Sequence, residues 1–323
     1  MIRSVVTRLL VAVCVAFIPC AVQAQGFSPS KSVRMIVPLP PGGPADLVAR
    51  LYTQKLTELW ARPVVVENRP GATGTIGADA AAKSAPDGHT LLFTPDLPIS
   101  MAPALFKPPY DPQTDLLPLA AVGAGVNALF AHPSTGANTL AELVEAARRK
   151  PGALTFSSAG NASPGHLCGE MLKKAAGIDL THVPYKGAAP AMTAVLSGEV
   201  SLFCGPIPAG LPHVRSGKLK ALATTGESPA AQMPEIKSVA ESYPGVTVTV
   251  WYGVFAAGKT PAALAAAIRG DLRRVFDDAD TKARLAAAGV NSVWMDDKQL
   301  AATIDRDLAK WTRVVRESNI KAN

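Results

Sequence analysis

The sequence predicts an α/β protein built as two lobes joined by two crossover segments, and three observations carry that expectation. Short apolar runs alternate with amphipathic helical stretches along most of the chain, the pattern of a parallel sheet covered by helices on both faces. The β-rich runs at 117–131 and 246–256 each exceed the about 5–6 residues of an ordinary strand, so each reads as chain passing from one lobe into the other. With 323 residues the chain is long enough to bury two cores. One large single-core domain is the competing arrangement.

The elements follow in order. Arg3 and Arg8 precede an apolar run at 9–18, and Val22-Gln23-Ala24 closes it with small residues at the first and third positions. That combination is a secretory signal cut after Ala24, and its ten apolar residues are half of the ~20 that span a bilayer. A lipoprotein reading through Cys20 lacks the small residue that should precede the cysteine. Residues 33–39 are a first strand, and Pro40-Pro41-Gly42-Gly43-Pro44 is a turn. Helical spacing over 46–60 puts Leu47, Leu51, Leu56 and Leu59 on or near one face. Strands at 63–67 and 90–94 flank an alanine-rich helix at 74–84. Further strands are expected at 126–131, 155–158, 182–184, 200–204 and 220–224, with helices at 140–150 and 165–176. Pro261 opens a helix through Asp277, and a last helix covers 297–317. After the signal at 1–24, the first lobe is expected to hold 25–124 and 249–323, and the second 125–248.

Composition removes several classes of function. Hydrophobic residues at 48% and charged residues at 18% exclude a disordered chain. The formal charge is +7; residues 1–24 hold two arginines and no acid, so the remainder carries +5, too mild and scattered for a nucleic-acid binder. The five histidines occur singly, without metal-ligand spacing, and no cofactor loop is present: the glycines from Gly71 to Gly77 recur every three residues, unlike a dinucleotide fingerprint. Cys168 and Cys204 remain after signal removal, as a disulfide or as two buried thiols.

The candidate site residues sit at strand ends. Pro41, Gly42, Gly43 and Asp46 lie where the first strand gives way to the first helix, and a helix N-terminus approached through glycines suits an anion such as a carboxylate. A tight turn with Asp46 as a first-turn acid is the plainer reading. Ser158, Gly160 and Asn161 hold the corresponding place in the second lobe and could grip the other end of a ligand. Thr94 and Asp96 end the third strand; Asp96 could meet a ligand ammonium or disfavour a second carboxylate, or simply cap its loop. Thr73 and Thr75 could add hydroxyls, and Trp251-Tyr252-Gly253 could wall a cleft or pack a hinge.

Several stretches, in this order, resemble one family. They are Ile36-Val37-Pro38 through Arg50, Val66-Glu67-Asn68-Arg69-Pro70-Gly71-Ala72, and Pro86-Asp87-Gly88-His89-Thr90-Leu91-Leu92. Ser158-Ala159-Gly160-Asn161 with His166-Leu167 follows, then Val183-Pro184-Tyr185-Lys186-Gly187-Ala188-Ala189-Pro190-Ala191. Gly217-Lys218-Leu219-Lys220-Ala221-Leu222-Ala223, Trp251-Tyr252-Gly253 and Lys310-Trp311 complete the set. Together they resemble the Bug family, the periplasmic solute receptors of tripartite tricarboxylate transporters.

The resemblance implies a venus-flytrap fold of the periplasmic-binding-protein kind, a receptor and not an enzyme, with no cofactor. Its ligand would be a small carboxylated solute, a carboxylic acid, an amino acid or an aromatic acid. Its partners would be membrane transporter subunits or a sensor kinase, with no nucleic acid, and the receptor itself a monomer. By position it carries a carboxylate onto Pro41, Gly42, Gly43 and Asp46, and onto Ser158, Gly160 and Asn161. Two positions depart from the family: Ala45 stands where a serine or threonine is common, and Ala162 where a glycine is. The rival from another class is a secreted hydrolase using Ser158 or Cys168, which lacks the G-x-S-x-G elbow.

Overall fold

Strand β1 (Val33–Val37) buries every side chain except Arg34, as a strand covered on both faces must. The computed structural model describes residues 26–161, 163–227, 229–230 and 232–317; the leader at 1–24 and Ala162 lie outside them. β1 pairs in parallel with β2 (Val64–Asn68) on one side and β3 (Thr90–Pro95) on the other. β9 (Thr249–Ala257) runs antiparallel to β3, and β4 (Leu116–Ala131) antiparallel to β9.

β4 changes partners part-way along. Its residues 116–126 pair with β9, and its residues 127–131 pair with β7 (Leu202–Pro206) and β8 (Lys220–Thr224). Beyond β7 lie β5 (Thr155–Ser158) and β6 (Thr181–Pro184), both parallel. The result is one nine-stranded sheet, ordered β2-β1-β3-β9-β4-β7-β5-β6 with β8 branching from β4. The parallel sheet expected from the sequence is therefore mixed. Each half has parallel outer strands, and the centre is antiparallel because β4 and β9 carry the chain outward and back.

Helices connect the parallel strands. α1 (Pro44–Trp60) follows β1, and α2 (Thr75–Ala82) follows β2 after a 3₁₀ turn at Ala72–Gly74. A π-turn, Leu97–Met101, leads from β3 into α3 (Ala102–Leu105). α4 (Leu140–Arg149) starts at the Thr139 cap and precedes β5; α5 (Pro164–Ala176), α6 (Ala188–Leu196) and α7 (Ile207–Arg215) follow β5, β6 and β7. Then come α8 (Val239–Ser242), α9 (Ala262–Asp277), α10 (Ala279–Ala287) and α11 (Asp297–Glu317).

Two expectations about packing change. In α1 the buried stripe runs through Ala45, Val48, Ala49, Tyr52, Leu56 and Trp60, with Leu51 beside it, while Leu47 and Leu59 are exposed at 48% and 41%. At about 100° per residue those two leucines rotate away from the sheet. The last helix also serves both halves. Leu300 and Ile304 pack with Ile36 and Phe255, while Trp311 and Val314 pack with Leu129, Phe156 and Leu202. Among the described residues no helix is long and apolar enough to cross a membrane.

Candidate functional site

Four helices point their N-termini at one cavity. Each follows the carboxyl end of a parallel strand, where open α/β sheets place ligands. α1 contributes Gly43, Pro44 and Ala45; α5 contributes Ser163, Pro164 and Gly165; α6 contributes Gly187 and Ala188; α7 contributes Pro206 and Pro208. The cavity encloses about 520 Å³ between the two halves, and β4 and β9 form its floor through Asn127, Val250 and Tyr252. Gly43, Gly187 and Pro206 supply no side-chain cap to their helices. The first-turn N–H groups of those helices are thus left to whatever occupies the cavity.

The first-half loop is built around a buried carboxylate. Asp46, 2% exposed, accepts hydrogen bonds from the Gly42 backbone N–H (3.0 Å), Arg50 Nε (2.9 Å) and Asn68 Nδ2 (2.9 Å). Burial alone would raise its pKa, but those bonds outweigh burial and hold it below the usual carboxylate range. Asp46 therefore shapes the loop, and its charge is neutralised before any ligand arrives. Beside it, Ala72 and Thr73 adopt left-handed backbone at φ 45° and 58°. That conformation costs about 1–2 kcal/mol per residue, and such strain gathers at ligand-holding turns.

Neutral donors complete the cavity. The phenol of Tyr252 and the carboxamides of Asn127 and Asn161 border it and make no hydrogen bond to protein among the described residues. Burial first, then the neighbouring Asp96, pushes the Tyr252 phenol upward, so it keeps its proton as a donor. Among the described residues Lys186 is the one cationic side chain bordering the cavity; it is exposed and has no ion-pair partner there.

The residues singled out from sequence separate into two groups. Gly43, Asp46, Asp96 and Asn161 border the cavity. Pro41 and Gly42 stand exposed on the rim loop. Gly160 turns the chain at φ 129°, and the buried Ser158 hydroxyl lies 3.0 Å from its carbonyl oxygen and 2.7 Å from His182 Nε2. Thr94 is fully buried and donates to the Pro95 carbonyl. Asp96 borders the cavity without reaching into it: both carboxylate oxygens are buried without a hydrogen-bond partner among the described residues. Burial and then Asp307 drive its pKa well up against the pull of Lys310. Thr73 borders the cavity, whereas Thr75 turns back to the Ala72 carbonyl. Trp251-Tyr252-Gly253 fits both readings of it, since Tyr252 walls the cleft and Trp251 packs behind it, its indole donating to Asp307 at 3.0 Å.

Cys168 and Cys204 are free and buried, and the Cys204 thiol is pushed up by its hydrogen bond with Cys168 and then by burial. The sequence missed the ends of α6 and α7 and the role of Lys186. Pro190, Pro208 and Pro212 mask those helices, although the run Tyr185-Lys186-Gly187-Ala188 after a strand was a usable signal.

Two α/β halves joined by crossover strands, with a cavity at the strand ends, define a solute-binding protein of the periplasmic type. The chain belongs to the tripartite tricarboxylate transporter family receptors, the TctC family, whose model matches residues 48–320. It is 32% identical to BugT of Bordetella pertussis, over 98% of each chain. Among solved structures it is similar to MatC from Rhodopseudomonas palustris with bound malate (TM-score 0.77, 30% identity, 89% of this chain and 99% of that one). It is also similar to an R. palustris protein solved with adipate (TM-score 0.83, 27% identity, 91% and 99%). The matching family model describes receptors of a transporter family.

Proposed function

We propose that this protein captures a small carboxylate in its cleft, outside the cytoplasm, for a tripartite tricarboxylate-type membrane transporter. The observation that carries the reading is the convergence of the α1, α5, α6 and α7 N-termini on a cavity whose bordering acids, Asp46 and Asp96, are both held away from a ligand. Helix N-termini present unpaired N–H groups and the positive end of the helix dipole, each favouring an anion by about 0.3–1 kcal/mol. Gly43 and the helix ends around Asn161, Gly165 and Gly187 would hold the carboxylate from opposite halves, with Lys186 at the mouth and Tyr252 beneath. The malate and adipate of the two structural relatives suit the same chemistry.

The cleft walls are mostly Pro, Gly, Ala, Leu and Val, so the body of the ligand would be apolar. Capture would proceed by closure of the halves about β4 and β9, with the chain divided at 25–124 plus 249–323 and 125–248 and the end of α11 reaching across to the second half, and the closed form would be what the transporter recognises. The secretory signal at 1–24 would deliver the chain to the periplasm as a monomer.

A thermal-shift screen of the mature protein against mono-, di- and tricarboxylates, amino acids and aromatic acids tests the reading. A ligand at 100 times its dissociation constant adds about 2.7 kcal/mol of stability and moves the midpoint by several degrees. A hit that weakens in Gly43→Val supports carboxylate capture. If no acid shifts the transition, mass spectrometry of the denatured protein reveals any retained ligand, and finding none contradicts the proposal.

A further inference from the structure

A second cavity, of about 660 Å³, lies on the opposite side of the β4–β9 ribbon. Side chains alternate across a strand, and they separate the two spaces. On β9, Val250 and Tyr252 border the cleft while Thr249 and Trp251 border the rear cavity; on β4, Gly125 and Asn127 border the cleft and Ala124 the rear, with Val126 touching both. The rear cavity is thus a separate compartment with its own chemistry.

Its wall is one face of α11. Arg306, Lys310 and Arg313 stand at spacings of four and three, which stack them on the same side of the helix. Three like charges so placed repel one another, and the two acids on the same wall, Asp307 and Glu227, leave a net positive charge. Asp307 Oδ2 accepts from the Trp251 indole, with its other oxygen 3.7 Å from Arg306 Nε. Among the described residues Glu227 is the only other acid on the cavity wall. Lys310 donates to the Thr247 carbonyl (2.6 Å) and hydroxyl (3.3 Å), both neutral acceptors, while its ammonium lies 4.6 Å from the Trp311 ring. Burial pulls its pKa down even with Asp307, Asp96 and Glu227 in range. Arg313 has no hydrogen bond or ion pair within the described residues; the acid in its range, Glu317, is bonded to Lys174.

We propose that this rear cavity binds a small multivalent oxyanion, of the phosphate kind, held by Arg306, Lys310 and Arg313. A dianion fits the cluster because it meets several cations at once, each through a charge-assisted hydrogen bond. None of the three cations borders the cleft.

The tryptophans make the test specific. Of the four, Trp251 and Trp311 border the rear cavity, whereas the Trp60 indole is bonded to Asp271 and Trp294 packs on Phe276. The mature protein, ¹⁵N-labelled, is titrated with inorganic phosphate at ionic strength held constant with sodium chloride, and the indole N–H signals are followed. The expected result is saturable movement of the Trp251 and Trp311 signals with Trp60 and Trp294 still. Phosphate affinity should fall by about tenfold or more in the R306Q/R313Q variant, which loses two charge-assisted donors while keeping a native spectrum. Movement that is absent, that sodium chloride alone reproduces, or that persists unchanged in R306Q/R313Q overturns the proposal. Should that variant fail to fold, R313Q alone, at an exposed position, gives the same reading with a smaller loss.

Discussion

Asn68 donates from Nδ2 to Asp46 Oδ1 at 2.9 Å, fastening the end of β2 to the first turn of α1. The same amide donates to the Leu39 carbonyl at 3.1 Å, so one side chain holds both ends of the cleft loop. The loop therefore has its shape before a ligand enters. Asp46→Ala should strand the Gly42 N–H and the Asn68 amide and cost about 1–3 kcal/mol of stability. It should also weaken carboxylate binding, while Asp46→Asn keeps part of the loop and loses less. Thermal midpoints together with calorimetric titration separate the two effects. The sign with pH follows from the lowered carboxyl: its contribution is present above the ordinary value of 3.8 and is lost as pH falls through the lower folded value.

Lys186 should tune affinity without touching stability. It is exposed and unpaired among the described residues, so Lys186→Ala should leave the midpoint of the ligand-free protein unchanged. Carboxylate affinity should fall by about two- to fivefold, the range of a solvent-accessible charge contact. Lys186→Glu should lose more, and lowering the salt should widen both differences. Calorimetry at two ionic strengths checks the pattern.

Gly289 and Pro208 meet across the cleft. A Cβ built on Gly289 would fall 1.8 Å from Pro208 Cγ, and Gly289 itself has φ 72°. Gly289→Ala should cost about 1 kcal/mol for the left-handed backbone and should also wedge the halves apart, reducing ligand affinity. Adding Pro208→Ala removes the clashing ring. The double variant should recover affinity but not the stability lost to backbone strain. Equal recovery of both, or of neither, would contradict the steric account.

The stacked histidines, one buried and one half-buried, should make the protein acid-sensitive. His166 and His182 stack at 3.8 Å, and burial, reinforced by Lys173, pulls their pKa values to about 3 and about 4; for His166 the charge of His182 acts ahead of Lys173. An unfolded histidine takes a proton below 6.5, so stability should fall as pH drops from 6.5 toward 4. His182→Gln keeps a hydrogen-bonding partner for Ser158 and removes one titrating ring, so its midpoint should fall less steeply over the same range. Thermal unfolding at several pH values measures the slopes.

The legible part of the fold is where local chemistry and tertiary context agree. The Pro-Gly turn at 40–44, the strand before it, the extent of the helix after it, and the long β-rich segments read well because each obeys its own period, although the second begins at Thr249 and the face of that helix through Leu47 and Leu59 was misplaced. The helices at 188–196 and 207–215 escaped because Pro190, Pro208 and Pro212 are breakers that tertiary packing overrides. The antiparallel centre escaped because an apolar run does not encode the direction of its neighbour. At the site, Gly43, Asp46 and Asn161 were readable from their place after strands. The burial of Asp96 and Thr94 was not, since it depends on α11 and on β9, which lie far along the chain.

The central claim is that the cleft recognises a carboxylate charge, and a matched pair of ligands tests it most directly. Calorimetric titration of ligand-stripped protein with the best acid from the screen, and with its primary amide, compares two molecules of nearly the same shape. The account predicts saturable binding of the acid and amide binding weaker by about a hundredfold or more, through loss of several charge-assisted hydrogen bonds. Equal affinity for acid and amide, with Lys186→Ala also without effect, would contradict it.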